Sequence, residues 1–233
     1  MSITRDSHDN LVVLSKLKAN YTLIWLHGLG DDEFGFTDVF TSHFSPLTDR
    51  TRVVLLNAPE RKCKIAFGQE VSCWFDITGF NFLRDKTQIN FDHVNEQKDL
   101  IIEVIEREVE NLGGDPSSVF IGGFSQGAAL AFYTACEYEK VLGGCIMLSG
   151  HSLYDDPETQ IPESKKELPI FAYHGKFDMK LPYKASFWYA ERLSELGFNI
   201  EFHTASKMGH TVEEEELEVL TEFMTKIAPE KET

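Results

Sequence analysis

Six short apolar runs, each closed off by turn residues and interleaved with stretches of helical periodicity, constrain this chain more than any other feature. They are YTLIWL (Tyr21 to Leu26), RVVLL (Arg52 to Leu56), SVFIGG (Ser118 to Gly123), GGCIML (Gly143 to Leu148), LPIFAY (Leu168 to Tyr173) and NIEFHTA (Asn199 to Ala205). Most are continuous rather than alternating, which suits strands covered on both faces. Helical patterns occupy about Glu96 to Asn111, Gln126 to Glu139, Pro182 to Leu196 and Val212 to Ile227. In the first of these, Leu100, Ile101, Val104, Ile105 and Val109 mark one face. Strand alternating with helix implies an α/β fold, a mostly parallel central sheet with helices on both faces.

Within the polar first twenty residues, LVVL (Leu11 to Leu14) reads as an N-terminal edge strand, paired as an antiparallel hairpin with Tyr21 to Leu26. A chain of 233 residues is long enough for one sizeable core and short for two, so residues 1–233 are expected to form a single domain. Residues 61–95 resist assignment: their periodicity is weak, yet they hold Phe67, Trp74, Phe75, Phe80, Phe82 and Phe91. Long irregular segments of compact domains tend to be covers or binding loops, so this one is expected to border the site.

Composition excludes several functions. The net charge of −16 repels nucleic acid and anionic lipid, and no Lys/Arg stripe along the sequence makes an exception. No window approaches the ~18 apolar residues of a membrane span, and the start MSITRDSHDN lacks a secretory pattern. With no Gly at position 2 and no cysteine before Cys63, no stable membrane anchor is expected. Cys63, Cys73, Cys136 and Cys145 form no C-x-x-C pair and read as reduced thiols in a cytoplasmic protein.

Gly123-Phe124-Ser125-Gln126-Gly127 fits G-x-S-x-G and falls between an expected strand and an expected helix, the setting of a nucleophile raised on a sharp turn. Glycines two before and two after the serine leave room for its strained backbone. The plainer reading makes Ser125 a helix N-cap, and the motif alone leaves the two level. A nucleophilic serine needs a base and a group to orient it. His210 lies in the loop between Asn199–Ala205 and the last helix, and Thr211 with Glu214 matches a T-x-x-E capping box that would start that helix just after it. His203, inside a strand, is the weaker candidate. For the acid, Asp178 stands alone in a strand-to-helix loop ahead of Pro182, against Asp155 and Asp156, which read as solvated loop charge. The Glu213 to Glu216 run likewise reads as a solvated helix start. The backbone N–H of Gln126 is expected to face the developing oxyanion, with a second donor from the glycine-bearing loop LHGLGDD (Leu26 to Asp32). Glu33 breaks the dinucleotide pattern G-x-G-x-x-G that this loop would otherwise start.

The segments LHGLGD, NAP (Asn57 to Pro59), SCWFDI (Ser72 to Ile77), GGFSQGAA (Gly122 to Ala129), LSG (Leu148 to Gly150), HGKFDMKLP (His174 to Pro182) and MGH (Met208 to His210) follow one another over nearly the whole chain. In that order they resemble the acyl-protein thioesterases of the lysophospholipase and carboxylesterase family. The resemblance implies an α/β-hydrolase fold with a minimal lid, Ser125 as nucleophile, Asp178 as orienting acid, His210 as base, and the backbone N–H groups of Leu29 and Gln126 as oxyanion hole. It also implies S-acylated proteins or small acyl esters as substrates, with no cofactor and no metal. The chain departs from the family pattern at Met179-Lys180, Thr211-Val212 and Cys73. Phe67, Trp74, Phe75 and Leu181 are candidates for the lining of an acyl-chain groove, against the plainer reading that the aromatics are core. A hydrolase-fold binding module without activity is the remaining alternative, and a homodimer is left open.

Overall fold

The apolar runs become strands within two residues of their expected limits. The computed structural model describes residues 2–42, 45, 47–79 and 81–228; Phe80 lies outside the described residues. In chain order the strands are β1 (Ile3–Arg5), β2 (Leu11–Val13), β3 (Tyr21–Leu26), β4 (Thr51–Leu56), β5 (Glu60–Cys63), β6 (Gln69–Ser72), β7 (Val119–Phe124), β8 (Gly144–Leu148), β9 (Ile170–Gly175) and β10 (Ile200–Ala205). The helices are α1 (Thr37–Thr41), α2 (Phe91–Asn111), α3 (Gln126–Glu137), α4 (Pro157–Gln160), α5 (Tyr183–Glu195) and α6 (Glu214–Ile227).

Eight strands form one sheet in the order β1-β2-β4-β3-β7-β8-β9-β10, parallel from β4 onward and antiparallel at β1 and β2. The continuous apolar character of the strands follows from cover on both faces. On β3, Ile24 and Leu26 pack with α2, α3 and α5, while Leu23 and Trp25 pack with α1 and α6. Thr22 and Arg52 are polar exceptions on these strands. Both hydrogen-bond to Glu108 of α2, at 2.8 and 2.9 Å, so a buried carboxylate is paired rather than stranded.

The chain leaves β3 toward β4 on one side and reaches β7 on the other, so strand order reverses between β3 and β7. Ligand sites of open α/β sheets form beyond the carboxyl ends of strands at such a switch point. Leu26 pairs with Gly123 there, bringing the loop after β3 against the turn after β7.

Four expectations need correction. LVVL forms β2, but its partners are β1 and β4 and not Tyr21–Leu26, because both edges of β3 are already taken by the parallel strands β4 and β7. Helix α2 begins at Phe91, where the Asn90 side chain accepts from the His93 N–H, and Leu100 points outward, half exposed. The T-x-x-E box does not form: α6 starts at Glu214 behind Glu213, which makes no side-chain cap. Of the run Glu213 to Glu216, the last residue is fully buried rather than solvated. Residues 61–95 contain an antiparallel hairpin of β5 and β6, followed by turns that lead into α2. The four cysteines are free and buried, and among the described residues no helix is long and apolar enough to cross a membrane.

Candidate active site

Ser125 sits between β7 and α3 with φ 55° and ψ −115°, a strained conformation for a residue with a side chain. The local packing shows why glycines flank it. A Cβ on Gly127 would lie 2.2 Å from the Leu26 carbonyl oxygen, and one on Gly123 would lie 2.5 Å from the same atom. The sharp turn is thus pressed against the end of β3, and only hydrogen fits at those two positions. Although Ser125 occupies the N-cap position of α3, its hydroxyl caps nothing. It lies 2.9 Å from His210 Nε2, and His210 Nδ1 lies 2.7 Å from Asp178 Oδ2. The arrangement assigns the proton on His210 to Nδ1, which donates to the carboxylate and leaves Nε2 to accept from the serine hydroxyl.

Asp178 is held by its own loop. Its Oδ1 accepts from the Lys180 and Leu181 N–H groups, both at 2.8 Å, and the buried His174 Nε2 lies 3.2 Å from Oδ2. Burial works to raise this carboxyl, but hydrogen bonds from His174, His210 and Leu181 outweigh it and hold Asp178 well below the usual carboxylate range. It is an anion at every pH at which the protein would work. The His210 ring packs against Phe124, with centroids 4.8 Å apart, which limits its rotation. The rival candidates serve elsewhere: Asp156 caps α4, Asp155 lies beside Lys86, and His203 stacks on Phe171 along β10.

The loop after β3 turns back at Gly28 to Asp31, closed by the Asp31 N–H on the Gly28 carbonyl. Gly30 takes φ +78°, the left-handed conformation that the third residue of such a turn requires. A Cβ on Gly28 would come within 3.6 Å of Ser125 Cβ, so this loop lies alongside the serine. No acceptor within the described residues is assigned to the N–H of Leu29 or Gln126, and both residues line the cavity in front of Ser125.

That cavity has a volume of about 520 Å³, within the range of small-ligand sites. Its apolar wall comes from Ile65, Ile77, Phe82 and Leu181. Of the candidates named for the groove, Leu181 lines this cavity and the three aromatics do not. Trp74 and Phe75 are core residues, 1% and 0% exposed, and Phe67 is 88% exposed in a left-handed turn of the β5–β6 hairpin. The reason for Trp74 and Phe75 is hydrogen bonding. The Trp74 N–H donates to Gln126 Oε1 at 3.0 Å, Gln126 Nε2 donates to the Phe75 carbonyl at 2.8 Å, and Trp74 Nε1 donates to the His27 carbonyl at 2.8 Å. These bonds tie the segment to the two loops beside Ser125 and turn its rings into the core. Sequence reasoning missed Ile65, Ile77 and His151, whose places depend on folding of the irregular segment over the strand ends. For Phe82, named only as part of that segment, it gave no role.

A serine on a strained strand-to-helix turn at the switch point of a parallel sheet, in line with a histidine and a buried carboxylate, fits one class, an α/β hydrolase of the serine type. The phospholipase/carboxylesterase family profile matches residues 8–228, and the chain belongs to that family. The acyl-protein thioesterase 1 homolog 1 of Dictyostelium discoideum is 32% identical over 209 residues, spanning 89% of this chain and 91% of that protein. The carboxylesterase SOBER1 of Arabidopsis thaliana is 29% identical over 203 residues, 87% of this chain and 88% of that protein. The SOBER1 crystal structure superposes with a TM-score of 0.77 at 27% identity, covering 89% of this chain and 99% of that one.

Proposed function

We propose that this chain, acting as a single hydrolase domain in the cytoplasm, removes acyl groups from S-acylated proteins. Ser125 Oγ attacks the thioester carbonyl while His210 Nε2 takes its proton, and Asp178 stabilises the resulting imidazolium. The Leu29 and Gln126 N–H groups face the oxyanion. Collapse of the tetrahedral intermediate breaks the C–S bond, and His210 returns the proton to the leaving thiolate. Water then enters, gives a proton to His210, and attacks the acyl-serine. Loss of Ser125 Oγ with that proton frees the acid. The observation that carries this reading is the unbroken chain from Ser125 through His210 to Asp178 at the mouth of an apolar cavity. Relatives named acyl-protein thioesterases favour the thioester as substrate.

A carboxylesterase or lysophospholipase acting on small esters or lysolipids is the second reading, favoured by relatives named carboxylesterases. Short- and long-chain acyl thioesters, matched esters and a lysophospholipid separate the two. Faster turnover of long-chain thioesters is expected, and a peak at acetate esters would favour the second. Ser125→Ala should abolish both turnover and labelling by a fluorophosphonate probe; turnover retained in a pure sample would remove the reading altogether.

A further inference from the structure

A second chamber of about 520 Å³ lies back to back with the cavity in front of Ser125. Three stretches of chain form the partition. Phe82 lines the first cavity and Leu83 the second, Leu181 the first and Pro182 the second, and His151 lines both. The Phe82 and His151 rings meet edge to face, with centroids 5.1 Å apart.

The second chamber gathers charge that is scattered in the sequence. Arg84 and Lys86 come from the turn before α2 and Lys184 from the start of α5, with Asp155 as the one carboxylate among the lining residues. In a chain of net charge −16 this is a local excess of cations. Lys86 Nζ donates to the Ser152 carbonyl at 2.6 Å and keeps further donor capacity, while Arg84 and Lys184 have no side-chain partner among the described residues. His151 is 4% exposed, and among the described residues neither of its ring nitrogens has a hydrogen-bond partner. A buried imidazole with both nitrogens idle needs an explanation, since such groups are almost always satisfied. Burial first, then Lys86, His174 and His210, push its pKa down to about 3, so it is a neutral ring with one N–H to give. Burial also works against the charged form of Lys86, with Asp155 opposing, so an added anion would relieve it.

We propose that this chamber receives the carboxylate at the far end of an acyl chain, so that acyl groups derived from dicarboxylic acids are preferred substrates of the enzyme. The chain lies along the apolar wall of the first cavity and passes the Phe82–His151 partition. Its terminal carboxylate accepts from His151 and Lys86 and faces Arg84 and Lys184. This inference rests on the reading of Ser125 as nucleophile and adds the substrate class. The apolar faces of Leu83, Tyr154 and Trp188 in the second chamber accommodate the last methylenes.

The test compares three esters at pH 7.5: p-nitrophenyl octanoate, the mono-p-nitrophenyl ester of octanedioic acid, and octanoate esterified to a sulfonated nitrophenol. The wild-type chain, Arg84→Ala/Lys184→Ala and His151→Phe are assayed, each checked for folding by thermal melt. The ratio of kcat/KM for the octanedioate ester to that for octanoate is expected to exceed one in the wild type. It is expected to fall about fivefold per rim cation removed, and to fall in the His151 variant too. A ratio below one, or one unchanged in both variants, overturns the inference while hydrolysis of octanoate leaves the nucleophile reading standing. Preference for the sulfonated leaving group alone overturns it by placing the anion on the other side of the scissile bond. Failure to hydrolyse any of the three, with Ser125 unlabelled by fluorophosphonate, overturns both.

Discussion

Replacing Glu216 with glutamine should remove most of a stability loss that the wild-type protein suffers between mildly acidic and mildly alkaline pH. Glu216 lies in the first turn of α6, four residues after the His210 loop ends at Thr211–Val212, and its side chain is completely buried. Among the described residues no side chain donates a hydrogen bond to either carboxylate oxygen. Burial, partly opposed by the Glu213 backbone amide and reinforced by the Glu213 charge, raises its pKa from 4.5 to about 8. In that window the folded chain keeps a proton that the unfolded chain has released, so each pH unit of rise removes about 1.4 kcal/mol of stability. The contribution is fully present below about pH 4.5, declines as pH rises through the folded value, and is gone above it. Across the whole window the loss amounts to about 5 kcal/mol, a large part of the ~5–15 kcal/mol that holds a typical domain together. Urea unfolding of both proteins at pH 5 and pH 8.5, at one ionic strength, measures it. The wild type should lose several kcal/mol more than Glu216→Gln between the two conditions. Equal losses would refute the argument, because they would mean that Glu216 is ionised or hydrated in the folded state.

Other perturbations follow from the site. Asp178→Asn presents an amide to His210 Nδ1 and favours the wrong tautomer, so kcat should fall by about 10³–10⁴ with little change in the melting temperature. Trp74→Phe deletes the bond to the His27 carbonyl; it should lower kcat alike for short and long acyl chains, and a shift in chain-length preference would restore Trp74 as a pocket residue. Gln126→Ala leaves the Trp74 N–H and Phe75 carbonyl buried without partners and should cost about 2–4 kcal/mol in urea unfolding. Gly127→Ala forces a methyl against the Leu26 and His27 carbonyls; the expected result is loss of soluble protein or a drop of several kcal/mol.

What the sequence determined by itself is what local chemistry controls. Continuous apolar runs located the buried strands, because a strand covered on both faces has no polar side to present. The spacing of Gly123 and Gly127 about Ser125 marked the turn, because only glycine tolerates backbone carbonyls at 2.2–2.5 Å from a Cβ position. Asp178 and His210 were legible because each sits in a loop at the carboxyl end of a strand, and a parallel sheet brings all such loops to one edge. Tertiary structure decided what depends on the far side of each residue. Trp74 and Phe75 look like pocket residues in a linear reading, yet three hydrogen bonds to Gln126 and the His27 carbonyl turn them into the core. Phe67, of the same residue type, is left in solvent. Glu216 belongs to a run of four acids in which only packing of α6 against the sheet selects the one to bury. His151 carries no motif at all, and Lys184 lies 98 positions of chain beyond Lys86. Only closure of the 81–88 turn over the start of α5 makes one chamber of them, because side-chain surroundings are set by non-local packing that no spacing in the sequence records.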